Sequence, residues 1–397
     1  MKPKGLFLYP NYLFDNPTSN QFERTLLALD GSCERHLLTR PGPMEQKRKA
    51  VDTLTVIPGC GRIPNYVGEV IKSHLGGAIP DEMKWSTNPQ MVAAAARSIR
   101  KNGGYDFIVT MSFPLSCHLA GYALKRRFGI PWMALFYDPW TDNTHRPSMT
   151  RQQVRRDRRW ERAVAEEADA VVHTNETMER IWAERYGKSS VYTLPFCYTK
   201  EMMDHPESLP QRGDGSVSIL YSGLRNQQRN ISDLVRAVSE LKKEDYPCLK
   251  KMKINVVGPP FDPDRELVRA LGVEDSFNFA GNQSKEQLPA FFRMADLFVV
   301  VDGVQQQNVF FPSKLMDYFY YRRPILGITP PEGCTASLLR DSGNCSIPNG
   351  DIHALTGFLK RILEEGCGIL PFNADYYRRF SPEVISGDFM QIVHSIL

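Results

Sequence analysis

The chain has 397 residues, 42% hydrophobic and 24% charged, which fits a globular protein with two or three well-cored domains. Its net charge of +4 is too small to argue for nucleic-acid binding, and no apolar run approaches the roughly 18 residues of a membrane span. Eight cysteines occur without a C-x-x-C pair. They suggest no zinc site and read as free thiols in a reducing, cytoplasmic compartment, so that any membrane contact is peripheral.

In chain order, "GLFLY" (5–9) reads as a first strand, since an export signal carries a longer apolar core. "SNQFERTLLALD" (19–30) places Phe22, Leu26 and Leu29 at helical spacing. "RHLLT" (35–39) and "DTLTVIP" (52–58) read as strands. The alanine-rich stretch 88–104 opens on Asn88-Pro89 and closes on Gly103-Gly104, good start and stop signals for a helix. A strand (106–112), a helix (115–129), a strand (131–138), a long helix (148–168) and a strand (169–174) follow. The polar stretch 200–216 has two prolines and two glycines and reads as a linker. The alternation then restarts, with strands at 216–223, 252–258, 276–281, 296–301 and 324–329 and helices at 231–243 and 284–295. Strand–helix–strand units of this kind predict an α/β fold with two parallel sheets, each covered on both faces. The domains expected are 1–205, 206–374, and a terminal helix at 375–397 whose packing stays open. Two such domains create a cleft, with ligands held outside the carboxyl ends of the strands.

Two stretches of the second half place cations at such ends. In "FFPSKLMDYFYYRRPILGI" (310–328), Pro312 suits a first helical position, and Leu315, Tyr318 and Phe319 form an apolar stripe. A helix beginning there offers free N–H groups and the positive end of its dipole to an anion; Ser313 and Lys314 stand at that mouth, and Asp317 one turn in is suited to sugar hydroxyls. The plainer reading is a capped surface helix with a solvated lysine. In "ILYSGLRNQQRNISDLVRAV" (219–238), a strand ends at Gly223 and is followed by Arg225 and Arg229, with Asn230 or Ser232 suited to cap the next helix. Guanidinium pairs at a strand end suit a diphosphate, although solvated loop arginines would look the same. Together the stretches fit one dianionic diphosphate. An enzyme that cleaves a nucleotide sugar needs such cations, because the leaving nucleoside diphosphate gains charge as the glycosidic bond breaks.

The order "YSGLRNQQRN", "INVVGPP", "FNFAGNQSKEQLPAFFRMADLFVVV", "FPSKLMDYFYYRRPILGI" resembles the C-terminal domain of GT-B glycosyltransferases of the retaining, glycogen-synthase-like group, over about 217–345. "FYDPWTDN" and "RAVAEEADAVVHTNETMERIWAERYG" in the first half fit the acceptor-side domain of the same family-4-like enzymes. The resemblance implies a GT-B fold, two Rossmann-like parallel-sheet domains facing each other across a cleft. It implies sugar transfer from a nucleotide-diphosphate donor to a hydroxyl acceptor, saccharide or lipid-linked, with retention of configuration. Gly223, Arg225, Arg229, Pro312, Ser313, Lys314, Leu315 and Asp317 would bind the donor. The "PSKL" form resembles a subgroup that builds bacterial surface polysaccharides. Two departures stand out. Val309 occupies the position of the first of two acids usually spaced eight residues apart, and the loop after the first strand lacks the usual glycine pair. Asn16, Thr18, Ser19 and Asn20 are candidates to supply side-chain contacts there.

His118, near a helix start, sits where some members hold a sugar-contacting histidine; a packed histidine is the alternative. Asp138, after a strand and before Pro139, is a candidate to deprotonate the acceptor, or a turn-stabilising aspartate. Asp262-Pro263-Asp264 looks like a metal-binding triplet of another fold, but its place before a helix reads as turn and cap chemistry, so neither metal nor cofactor is expected. Arg151, Arg155, Arg158, Arg159 and Arg162 share one broad helix face, read as solvated and partly paired with Asp157 and Glu161, or more sharply as a contact for anionic lipid. A sugar-nucleotide epimerase on the same fold and a catalytically silent scaffold are the rival readings.

Overall fold

The computed structural model describes residues 2–57, 87–143, 149–199, 215–284, 286–304, 308–370 and 373–397. The chain divides into two compact units, Met1–Lys200 with Phe380–Leu397, and Glu201–Arg379.

In the first unit, β1 (Lys4–Leu8), α1 (Pro17–Ala28), β2 (Glu34–Thr39), β3 (Thr53–Val56), α2 (Thr87–Lys101), β4 (Phe107–Ser112), α3 (Ser116–Phe128), β5 (Trp132–Phe136), α4 (Arg151–Glu167), β6 (Ala170–His173), α5 (Glu176–Tyr186) and β7 (Val191–Thr193) alternate along the chain. The strands form one seven-stranded sheet in the order β3-β2-β1-β4-β5-β6-β7, parallel throughout. Every residue of β4, β5 and β6 is buried, which is why these strands read as unbroken apolar runs. Local chemistry sets the helix ends. The Asn16 side chain accepts from Ser19 N–H, and Thr150 and Gln153 form a reciprocal capping box. Gly129 ends α3 in the left-handed region, where a side chain would be strained.

The second unit contains β8 (Val217–Ser222), α6 (Ser232–Lys243), β9 (Met252–Val257), α7 (Asp262–Ala270), β10 (Phe277–Gly281), α8 (Leu288–Met294), β11 (Leu297–Val301), α9 (Lys314–Tyr320), β12 (Ile325–Ile328), α10 (Cys334–Asp341), β13 (Cys345–Ile347), α11 (Ile352–Glu365) and α12 (Ala374–Arg378). Its six strands are also all parallel, in the order β10-β9-β8-β11-β12-β13. Ile219, Tyr221, Ile254, Val256, Leu297 and Val299 interleave with Leu234, Val238, Leu241, Leu359 and Ile362 to form its core. Each such fully buried aliphatic side chain contributes about 1.5–3 kcal/mol relative to exposure.

The terminal segment, whose packing the sequence leaves open, divides between the units. Helix α12 belongs to the second, whereas α13 (Pro382–Ile396) returns to the first, stacking Phe389 on Phe7 at 6.3 Å and meeting Phe107 edge-on. The expected boundary at 205/206, and most of the expected linker, lie outside the described residues. The helix read over 284–295 forms only from Leu288.

Candidate active site

In an open parallel sheet, the crevice lies where the strand order reverses, at the carboxyl ends. In the second unit that point lies between β8 and β11, whose pairing aligns Leu297 with Ile219. Gly223 follows β8 and Asp302 follows β11. Gly223 adopts φ +132°, and a Cβ there would stand 2.8 Å from Lys314 Nζ. The backbone conformation therefore requires glycine, and a side chain there would displace the Lys314 ammonium.

Lys314 opens α9 and reaches back over the end of β8. Its ammonium donates to the Ser222 carbonyl at 2.7 Å and sits over the Tyr221 ring, 4.5 Å from its centroid. Burial and the like charge of Arg229 push its pKa down to about 7, with Asp302 opposing. Arg229 is presented by a tight turn: the Asn226 side chain accepts from both Gln228 N–H and Arg229 N–H, and backbone bonds join Asn226 and Arg229 in both directions. The Nε of Arg229 is buried with no partner among the described residues. Neither Arg229 nor Lys314 forms an ion pair within 4.0 Å among those residues. Two cations thus meet at one strand end without a direct counter-anion, an arrangement that favours an anionic ligand.

Arg225, expected to share that ligand, has another task. It is buried, donating to the Pro259 carbonyl at 2.7 Å and pairing with Asp264 at 3.4 Å beside the Phe279 ring. Burial pushes the Asp264 carboxyl up to about 6, with Arg225 opposing. The pair ties the loop after β8 to the first turn of α7, both terminal nitrogens of Arg225 being bound inside the fold while its Nε is buried with no partner among the described residues. Asp264 accordingly serves this pair, and no group of three or more His, Cys, Asp or Glu suited to a metal occurs among the described residues. The cap of α6 is Ile231 without a side-chain bond, although Asn230 Oδ1 accepts from Ser232 N–H and Oγ.

The mouth of α9 also differs from expectation. The helix starts at Lys314 rather than Pro312 and has only seven residues. The N–H groups of Leu315 and Met316 are taken by the carbonyls of Pro312 and Ser313. An anion there meets side-chain charge more than helix dipole. Leu315 is fully buried and packs into the core, Val309 is buried, and Pro312, Ser313 and Asp317 stay half-buried.

In the first unit the expected loop contacts turn inward. Ser19 is fully buried, donates to the Tyr12 carbonyl and accepts from the buried Lys47 ammonium at 2.7 Å. Asn20 also accepts from Lys47, at 2.8 Å, and Asn16 caps α1. Without a glycine pair, this loop is held by its own polar side chains; Thr18 is half-buried in the first helical turn. His118 is fully buried, its ring 4.1 Å from that of Phe136. Thr110 Oγ1 accepts from Trp132 Nε1–H at 2.8 Å and shares a 2.8 Å hydrogen bond with His118 Nδ1. Burial, then the neighbouring His173, lowers the His118 pKa to about 3, leaving a neutral, packed ring rather than an exposed sugar contact. Asp138 is half-buried in the turn after β5. That turn is clamped from behind: the buried Glu161 accepts from Thr141 N–H at 2.7 Å, and Arg185 pairs with both Asp142 and Glu161. Of the α4 arginines, 151, 155, 158, 159 and 162 are exposed; the expected partners Asp157 and Glu161 face inward, Asp157 against Arg156 at 2.9 Å.

Residues 50–194 match the family described as glycosyl transferase 4-like domain, and residues 207–379 match glycosyl transferases group 1. The chain belongs to the GT-B glycosyltransferases. Solved structures agree on the fold. A lipopolysaccharide outer core galactosyltransferase, WaaB, in its apo form aligns over 100% of both chains with TM-score 0.66 and 13% identity. HepE of Anabaena in complex with UDP aligns over 99% of this chain and 100% of its own, with TM-score 0.69 and 11% identity. A sucrose-phosphate synthase from Thermosynechococcus elongatus aligns over 100% of this chain and 95% of its own, with TM-score 0.63 and 16% identity. No curated protein matches the sequence.

Within this glycosyltransferase, sequence reading overlooked Asp302, Asn226 and Asn308. Asp302 is buried and accepts from Asn308 Nδ2 and the Thr335 hydroxyl. Asn308 also donates to Thr335 and accepts from Phe310 N–H, while its carbonyl accepts from Cys334 N–H. The signal available was an acid directly after an all-apolar strand, where a charge is costly unless it is used. Among the described residues no helix is long and apolar enough to cross a membrane.

Proposed function

We propose that the second unit holds a nucleoside-diphosphate sugar with its diphosphate between Arg229 and Lys314, and that the sugar passes to a hydroxyl of a saccharide or lipid-linked acceptor. The observation that carries this is the Lys314 ammonium folded back onto the Ser222 carbonyl at the end of β8, where the like charge of Arg229 acts on it and neither cation has an ion pair within 4.0 Å among the described residues. In the transition state the leaving diphosphate gains negative charge, and fixed cations in a partly enclosed site stabilise that charge more than the ground state. Pro312, Ser313 and the backbone at Gly223 line its approach, and Asp317 accepts from sugar hydroxyls of the donor. Leu315 supports α9 from the core.

Asp138 orients or deprotonates the acceptor hydroxyl, with the Glu161–Arg185 clamp fixing its turn. Retention of configuration follows the family resemblance, with the departing phosphate able to take the acceptor proton. The exposed arginines of α4, together with exposed Arg126 of α3, present a cationic face suited to an anionic membrane at which a lipid-linked acceptor would be met. The pathway favoured is bacterial surface polysaccharide or glycoconjugate assembly.

A thermal-shift screen of UDP, GDP, ADP and their sugars tests the donor site. A ligand at a hundred times its Kd stabilises the folded state by about 2.7 kcal/mol, so the right nucleotide raises the melting temperature. Arg229→Ala and Lys314→Ala should each abolish most of that rise. A rise that survives both substitutions would reject the assignment.

A further inference from the structure

Arg40 directly follows β2 and stands at the carboxyl end of the first unit's sheet. In that sheet the strand order reverses between β1 and β4, so the crevice opens beside the loops after those two strands. The loops after β1 and β2 are pressed together there. Arg40 N–H donates to the Pro10 carbonyl at 3.3 Å, Met44 N–H donates to the Leu13 carbonyl at 3.1 Å, and a Cβ on Gly42 would collide with the Leu13 carbonyl. The Arg40 guanidinium lies over the Phe14 ring, 4.5 Å from its centroid, and so leans from β2 toward the loop after β1. Phe14 is itself held, its carbonyl accepting from the buried Lys47 ammonium at 3.2 Å. The neighbouring acid Asp15 is exposed and accepts from Asn20 Nδ2 at 3.1 Å. Arg40 is half-buried, yet among the described residues its side chain makes no hydrogen bond and no ion pair within 4.0 Å, and its Nε is enclosed. An arginine packed only for its apolar stem keeps its head in water. Enclosing a guanidinium nitrogen without an acceptor is costly, and an oxoanion against the fork offsets that cost. Stacking on Phe14 occupies the face of the guanidinium and leaves its N–H edge for a bidentate contact.

We propose that Arg40 binds an oxoanion, a phosphate or a carboxylate, carried by the acceptor, so that the acceptor is an acidic saccharide or a sugar attached to phosphate. Asp138 follows β5, two strands from β1 in the sheet order. At about 4.8 Å per strand, roughly 10 Å separates those strand ends, room for one sugar ring and the charged group next to it. The link to the acceptor rests on the assignment of Asp138 above; the oxoanion site itself does not.

The acceptor-free test is phenylglyoxal modification of the full wild-type chain, read at Arg40 by peptide mass mapping. Inorganic pyrophosphate and glucuronate are the two probes, with sodium chloride at matched ionic strength as the baseline. At ten times its Kd a probe should slow labelling of Arg40 roughly tenfold, while the exposed Arg155 and Arg158 label as before. Protection by pyrophosphate points to a phosphate on the acceptor, and protection by glucuronate to a carboxylate. Protection by neither would overturn the proposal. The same protection should persist in Lys314→Met, which separates this site from the donor site; its loss there would overturn the proposal. The second test is steady-state transfer to a lipid-diphosphate-linked sugar, a glucuronate-containing disaccharide and a neutral disaccharide. Arg40→Gln should raise the acceptor KM roughly tenfold to hundredfold for the charged acceptor, with donor KM unchanged. Arg40→Lys, which keeps the charge without the fork, should recover part of that loss. An equal rise for the neutral acceptor, or no rise for the charged one, would overturn the proposal. Protection of Arg40 without turnover of either charged acceptor would overturn the link to the acceptor and leave the oxoanion site standing. Failure of wild type to bind any nucleoside diphosphate would overturn the donor assignment, with the labelling experiment still judging Arg40.

Discussion

Replacing Lys314 with methionine should stabilise the protein below neutral pH while removing donor binding. The lysine's pKa falls from 10.5 to about 7 because its ammonium is enclosed beside Arg229. At about 1.4 kcal/mol per unit, holding the charged form inside the fold costs on the order of 4–5 kcal/mol. Between pH 7 and 10.5 the unfolded chain carries the proton and the folded chain does not, so wild-type stability climbs with pH across that window. At pH 6 methionine relieves the whole cost but forfeits the hydrogen bond to the Ser222 carbonyl, about 1.5–3 kcal/mol for a charged donor. The net gain is about 2 kcal/mol, or about 5 °C in melting temperature for a unit of this size. At pH 9 wild type needs only to release the proton, at about 2 kcal/mol, and the advantage of the variant should vanish. Thermal unfolding of both proteins at pH 6, 7.5 and 9 reads this directly. A melting-temperature difference that is the same at all three pH values, or a destabilised variant at pH 6, would refute the claim that an enclosed lysine charge stands at this site.

Gly223→Ala should cost about 1–3 kcal/mol through its φ of +132°, and should weaken nucleotide binding as well, since the new methyl group displaces the Lys314 ammonium. Denaturant melts and UDP calorimetry of the same variant check both effects. Asp264→Ala leaves the Arg225 guanidinium buried without its carboxylate and should destabilise by about 3–5 kcal/mol in urea unfolding. Glu161→Ala removes the acceptor that pins Thr141 N–H and Arg185, and should cost about 3 kcal/mol while lowering the rate of transfer more than donor affinity, which separates the first unit's part from the second's in steady-state kinetics.

Strand and helix placement, and the parallel pairing, were legible because their cause is local. Runs such as "DFIVTMS" and "DLFVVV" are buried on both faces, and nothing but a parallel sheet covered by helices accommodates them in alternation with amphipathic stretches. Lys314 and Arg229 were singled out for a related reason: each lies in the connection that follows an apolar strand, and Lys314 does reach the carboxyl end of β8 through the Ser222 carbonyl. Arg225 looked the same from sequence, four residues from Arg229. Its pairing with Asp264 depends on how the loops after β8 and β9 close, with the Gly223 carbonyl against Gly258, a long-range contact that spacing does not report. The polar loop at 16–20 was misread for a like reason, because its partner Lys47 lies 27 residues beyond Asn20. Asp302 and Asn308 were passed over because neither completes a motif; they matter through contacts across three strands. The division of the last 23 residues between the units turns on Phe389 finding Phe107 and Phe7, the latter nearly the whole chain away.

The most direct test of the account is a crystal structure of the protein with a nucleoside diphosphate bound. Diphosphate oxygens should lie within about 3.2 Å of both the Arg229 guanidinium and the Lys314 ammonium, at the carboxyl ends of β8 and β11. A diphosphate bound elsewhere, or one that touches neither cation, would contradict it.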